Sequence, residues 1–114
     1  MPDEKQNGLL KDIFDSARAI RQYLTGVTWD DFFKNPEKQD AILRRFEIIG
    51  EAAGRLAPET QTAFPQLPFR SMKGMRNIIA HDYGEVDLDQ VWKTATRDLD
   101  GLIDTLEKHF AALQ

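Results

Sequence analysis

Nowhere does this chain alternate apolar and polar residues with a period of two; apolar residues instead recur at three- and four-residue steps almost throughout. That pattern leaves helices as the material of the fold. Leu10, Ile13, Phe14, Ala17, Ile20 and Leu24 predict an amphipathic helix over about 8–25, ending at Gly26. "TWDDFF" reads as a short helical turn with Thr28 as its N-cap. Asn35 followed by Pro36 starts a second long helix, because proline at the first helical position loses nothing by lacking an N–H. Along that helix Ile42, Phe46, Ile49, Ala53 and Leu56 form one apolar row, with Ala41, Ile48 and Ala52 beside it. So wide an apolar face implies a central helix or one at a subunit interface.

Pro58, Pro65 and Pro68 punctuate the middle and leave room for one short helix between the first two. A further helix is predicted from Phe69 to about His81. The last helix should start at Asp87, with Gln90 closing a capping box and Val86 packing on Val91. From there Leu88, Trp92, Ala95, Leu99, Leu102, Leu106, Phe110 and Leu113 keep helical spacing. The expected fold class is all-α: an up-and-down bundle of about four main helices plus short helical segments, in a single domain over 1–114.

Composition narrows the chemistry. A hydrophobic share of 41% beside a charged share of 30% is that of a globular chain, not of a disordered or membrane one. With no cysteine, disulfides, thiolate metal sites and cysteine nucleophiles are excluded, which fits a reducing cytoplasm. Residues Met1 to Asn7 are polar and acidic, unlike a signal peptide, and no apolar run approaches the roughly 20 residues a membrane span needs. A cytoplasmic protein without membrane contact is expected.

The net charge of −4 weighs against a chain coated in nucleic acid, but its distribution is uneven. Between residues 60 and 81 the only charged side chains are Arg70, Lys73 and Arg76. After them Asp82, Glu85, Asp87, Asp89, Asp98, Asp100, Asp104 and Glu107 outnumber Lys93, Arg97 and Lys108. The locally positive window is either a phosphate-binding patch, with Arg70 and Lys73 as RNA contacts, or a solvated helix face. The acids at 82–89 do not follow the calcium-loop spacing, and Asp87 and Asp89 are accounted for by helix capping and the field at a helix N-terminus. No metal site and no cofactor is expected. His109, between Lys108 and Phe110 with no second ligand nearby, reads as structural. Glu51, in the otherwise small or apolar "EIIGEAAGRL", is either an edge residue reaching water or a group aimed at a polar cavity.

The positive window ends in "GMRNIIAHDYG", where chemically able side chains interrupt an apolar segment. On a helix Asn77 and His81, four apart, share a face, so the amide can orient the imidazole. Arg76 and His81 are five apart, about 140° around the axis, and converge only if the helix ends or kinks near His81, which Gly84 would allow. At a helix C-terminus the imidazolium is stabilised, suiting the residue to act as acid as well as base. A guanidinium can hold a phosphate bidentately and stabilise transition-state charge, while imidazole moves protons at a 2′-hydroxyl or a departing 5′-oxygen. With no metal-ligand pattern in the sequence, the route open to RNA cleavage is attack by its own 2′-hydroxyl, leaving a 2′,3′-cyclic phosphate. DNA lacks that group, and no DNA binding is expected. A two-fold dimer with paired motifs facing one cleft would supply both acid and base.

Arg76-Asn77-Ile78-Ile79-Ala80-His81-Asp82-Tyr83, read as Arg-x4-His-x-Tyr, resembles the signature of the HEPN superfamily, in its HepT-like branch. "ILRRFEIIGEAAGRL" is similar to that family's second long helix and "DLDQVW" to the start of its last, so the likeness covers most of the chain. The HepT-like branch comprises the toxins of MNT–HEPN toxin–antitoxin pairs of bacteria and archaea. The resemblance implies an all-α homodimer with its active site in a cleft between protomers. It implies a metal-independent ribonuclease in which Arg76 and His81 are catalytic and Asn77 holds the polar position beside the arginine. Glu51 and Asp82 are supporting candidates. It further implies neutralisation by an MNT-type nucleotidyltransferase antitoxin that transfers AMP to the motif tyrosine, here Tyr83. A bulky anion beside Arg76 and His81 would occupy the phosphate pocket and repel RNA.

Two departures from the family pattern stand out. Asp82 replaces a frequent glycine, placing a negative charge that either favours the imidazolium of His81 or opposes RNA. Phe69 stands where tryptophan is more usual, a change of packing. The runner-up function is a non-catalytic helical module that binds a nucleotide or a partner.

Overall fold

Short polar residues open the helices where the sequence offers them. In the computed structural model, which describes residues 2–74 and 87–114, the Asp3 carboxylate accepts from the Gln6 N–H at 2.8 Å and starts α1 (Glu4–Tyr23). That start is several residues earlier than apolar spacing predicts. Glu4, Lys5, Gln6 and Asn7 carry no periodic signal, and the cap sets the boundary instead. α1 ends just before Gly26, whose φ of 74° turns the chain in a conformation costly for any other residue.

Thr28 and Asp31 form the reciprocal capping box of α2 (Trp29–Phe33), with both bonds at 3.2 Å. Hydrogen bonding to the carboxylate from the Thr28 backbone N–H, and second from the Thr28 side chain, holds the Asp31 carboxyl below its ordinary pKa. Asn35 caps α3 (Pro36–Gly54) as expected, accepting from the Lys38 N–H at 3.1 Å. Lys38 in turn sends its ammonium to the Tyr23 carbonyl at 2.8 Å, closing α1 with a cation where the helix dipole is negative.

α4 (Pro58–Ala63) has Ala57 at its N-cap, which offers no side-chain acceptor. Gln6 of α1 supplies one: its Oε1 accepts from the Ala57 N–H and from the Thr60 hydroxyl, both at 2.8 Å. The described part of α5 covers 69–74. α6 (Leu88–Lys93) starts at Asp87, which accepts from the Gln90 N–H at 3.2 Å. The expected capping box is only half made, because the Gln90 amide donates to the Thr94 hydroxyl instead. Val86, the other half of the expected staple, lies outside the described residues.

The final stretch is not one continuous α-helix either. A π-helical turn, Thr94–Asp98, separates α6 from α7 (Leu99–Ala112). The Thr96 hydroxyl donates to the Trp92 carbonyl at 2.7 Å, sharing an acceptor of the helical ladder where it widens.

Among the described elements α1 packs along both α3 and α7, and α3 packs on α1 and α2. Leu10, Ile13, Ala17 and Ile20 of α1, Ile42, Phe46, Ile49 and Ala53 of α3, and Leu99, Leu102, Ile103 and Leu106 of α7 are buried in one cluster. Ala52 is buried as well, while Ala41 and Ile48 beside it stay half-buried. Leu113 continues the apolar spacing beyond the core and is 48% exposed. The described residues form an all-α bundle without strands, and no helix among them is long and apolar enough to cross a membrane.

Candidate functional site

α5 is the helix that leads into the motif segment, and its packing sorts its side chains. Pro68 supplies the first carbonyl, accepting from the Met72 N–H at 2.9 Å. Met72 is fully buried and Phe69 half-buried against the core, so the face between them is fixed inward. At 100° per residue, Arg70 and Lys73 share a face on the side of α5 away from Pro68 and Ser71, and both are exposed. The two expected phosphate contacts thus lie together on the solvent side of α5. Arg76, Asn77, His81, Asp82 and Tyr83 lie outside the described residues, as does the expected helix ending near His81. Glu51 is exposed on α3.

The side of α5 that carries Pro68, Ser71 and Met72 borders a cavity of about 440 Å³ between α3, α5 and the start of α7. Ile49, Pro68, Met72, Leu99 and Leu102 give it apolar walls. Gln66, Ser71, Asp98 and Thr105 bring hydrogen-bonding groups to it, and Gly101 contributes no side chain at all. None of these four polar residues was marked by sequence reasoning. Isolated polar residues at helical positions look like any solvated face, and only the tertiary packing brings them round one space.

His109 has the structural role expected of it. Its Nε2 lies 2.8 Å from the Asn7 Oδ1, and because the Asn7 amide nitrogen donates to the Pro2 carbonyl, the imidazole is the donor of that contact. The ring sits edge-on to Phe64 and Phe110, each 5.0 Å away, and burial pushes its pKa down. At the far end of the bundle Trp29, Phe32, Phe33 and Trp92 form an aromatic cluster in which Phe33 is 57% exposed. Among the described residues no group of three or more histidines and carboxylates gathers as metal ligands.

The family model for ribonuclease HepT-like proteins matches residues 13–109, a span that contains α5, the motif segment and the cavity. The chain belongs to the ribonuclease HepT-like family. "Probable ribonuclease HepT" of Thermococcus cleftensis is 32% identical over 87% of this chain and 90% of its own. "Putative RNase MJ1380" of Methanocaldococcus jannaschii is 32% identical over 79% of this chain and 83% of its own. "Putative RNase MJ0127" of the same organism is 27% identical over 95% of this chain and 89% of its own. No solved structure matches significantly. Family membership agrees with the HEPN-type resemblance carried by Arg76 to Tyr83 and with the all-α bundle.

Proposed function

We propose that this HepT-like chain is a metal-independent endoribonuclease whose chemistry is carried by Arg76 and His81. The observation that supports this most is that the family match runs through the whole Arg76–Tyr83 motif. In this reading Arg76 binds the scissile phosphate and stabilises the charge that builds on it. His81 takes the proton of the RNA 2′-hydroxyl, whose oxygen attacks the adjacent phosphorus. The 5′-oxygen leaves with a proton, and a 2′,3′-cyclic phosphate remains. Asn77 orients the imidazole, Asp82 modulates its charge, Glu51 supports the site from α3, and Arg70 with Lys73 draws in the RNA backbone. Paired motifs in a homodimer cleft supply acid and base together.

The biological setting that fits is a type II toxin–antitoxin pair. An MNT-type nucleotidyltransferase binds the toxin and moves AMP from ATP to the Tyr83 hydroxyl, with pyrophosphate leaving. Wild type, Arg76→Ala and His81→Ala, compared on RNA and for growth arrest, test the enzyme: activity should vanish in both variants, and wild type as inert as the variants would leave the non-catalytic binding module instead. That second reading draws on the chain's acidity and on Asp82. Intact mass after co-expression with the nucleotidyltransferase should rise by one or more AMP units, with no rise in Tyr83→Phe; an unchanged mass removes the modification. In solution the 13.1 kDa chain should run at twice its mass, and a monomer would remove the shared cleft.

A further inference from the structure

We propose that the cavity between α3, α5 and α7 is a guanine-binding subsite for single-stranded RNA; the proposal rests on the ribonuclease reading above. Size is the first argument. At about 440 Å³ the space falls within the range of small-molecule pockets and is far roomier than one protein side chain requires. Its walls are the second. Ile49, Met72, Leu99 and Leu102 are buried beneath it as an apolar floor, and the surface open to a ligand comes from Gln66, Pro68, Ser71, Asp98, Gly101 and Thr105.

The hydrogen-bonding groups choose among the bases. The Asp98 carboxylate only accepts, so its partner must bring N–H groups. Guanine offers two side by side, N1–H and the N2 amine, which a carboxylate takes bidentately. The Ser71 and Thr105 hydroxyls and the Gln66 amide can donate to its O6 and N7. Adenine and cytosine each set a bare ring nitrogen beside their amine, which a carboxylate opposes, and uracil has a single N–H.

Position and openness agree. Ser71 on the cavity wall comes five residues before Arg76 in the sequence. A Cβ at Gly101 would meet nothing within 4 Å, so the helix leaves this side of the cavity unfilled although glycine there costs helical stability. Arg70 and Lys73 lie on the other face of the same helix, where they would meet the flanking phosphates of a strand rather than the bound base.

The test titrates 5′-GMP, AMP, CMP and UMP into the full chain, in wild type, Asp98→Asn and Gly101→Met. Neither variant disturbs the core. Asp98 is exposed and caps nothing, and methionine is a better helix former than glycine. GMP should bind wild type more tightly than the other three nucleotides. Asp98→Asn should weaken it about tenfold or more. Gly101→Met should abolish it while the melting temperature holds or rises. GMP binding no tighter than the others, or unchanged in both variants, overturns the proposal. So does Asp98-dependent binding of N-acetylarginine amide without GMP binding, which would make the cavity a seat for a partner's arginine. RNA cleavage by wild type and Gly101→Met separates the two readings. Cleavage with identical base preference in both sinks the subsite and keeps the ribonuclease, whereas selective GMP binding without any RNA cleavage does the reverse.

Discussion

The α1–α3 hairpin and the α5–α7 side of the bundle are built on different principles. In the hairpin nearly every helix end is closed by a named side chain: Asp3, Thr28 with Asp31, Asn35, Lys38, and Gln39 donating to the Phe32 and Phe33 carbonyls at 2.9 Å each. Its interior is filled by rings and branched chains with no exposure to spare. On the α5–α7 side the helix widens into a π turn, polar residues face a cavity, and a glycine faces open space. The contrast teaches where tolerance lies. The hairpin resists change because it holds the bundle together, and the other side keeps imperfections that a ligand can use.

The largest effect belongs to the hairpin. Phe46→Ala should destabilise the protein by about 3–5 kcal/mol, since it empties a fully packed site between α1 and α3. Denaturant unfolding measures this, and a loss near that of a surface change would show that the hairpin is not the scaffold. Gln6→Ala should cost about 1–3 kcal/mol, because the Ala57 N–H and Thr60 hydroxyl both lose their acceptor. Amide exchange at the start of α4 should accelerate more than elsewhere.

On the other side the sign reverses. Gly101→Ala should stabilise by about 0.5–1 kcal/mol, as helix propensity is gained and no neighbour is met. A destabilisation would mean that the space is not open. The smallest effect is a pH dependence at His109. Its folded pKa lies below the unfolded value near 6.5, so the unfolded chain binds the proton more readily. Its contribution to stability is therefore complete above about pH 6.5 and declines as pH falls from there through the folded pKa. Comparing wild type with His109→Gln between neutral and mildly acid pH isolates this slope, which should be shallower in the variant.

Local chemistry made much of the hairpin legible in the sequence. Asn35-Pro36, Thr28 as an N-cap, and the rows through Ile13 and Ile42 each act within one or two helical turns, which is the range over which a sequence speaks for itself. Gln6 capping Ala57 acts across the fold, and nothing near either residue announces it. The π turn is equally silent, because the apolar residues on either side keep ordinary helical spacing. The same holds for the cavity, since Ser71, Asp98 and Thr105 acquire a common direction only when α5 packs against α7. The motif from Arg76 to Tyr83 is legible in residue types and spacing, and the family match spans it.

The central claim concerns the chemistry proposed for Arg76 and His81, and one product analysis tests it most directly. An end-labelled RNA, and the same RNA carrying a 2′-deoxy nucleotide at the cleavage site, are incubated with wild type and with His81→Ala in the presence of a metal chelator. The account predicts cleavage of the all-ribose strand by wild type to a 2′,3′-cyclic phosphate end, no cutting at the deoxy position, and a rate about 10²–10⁴ lower in the variant. Cleavage that persists at the deoxy position, or a variant as fast as wild type, would contradict it.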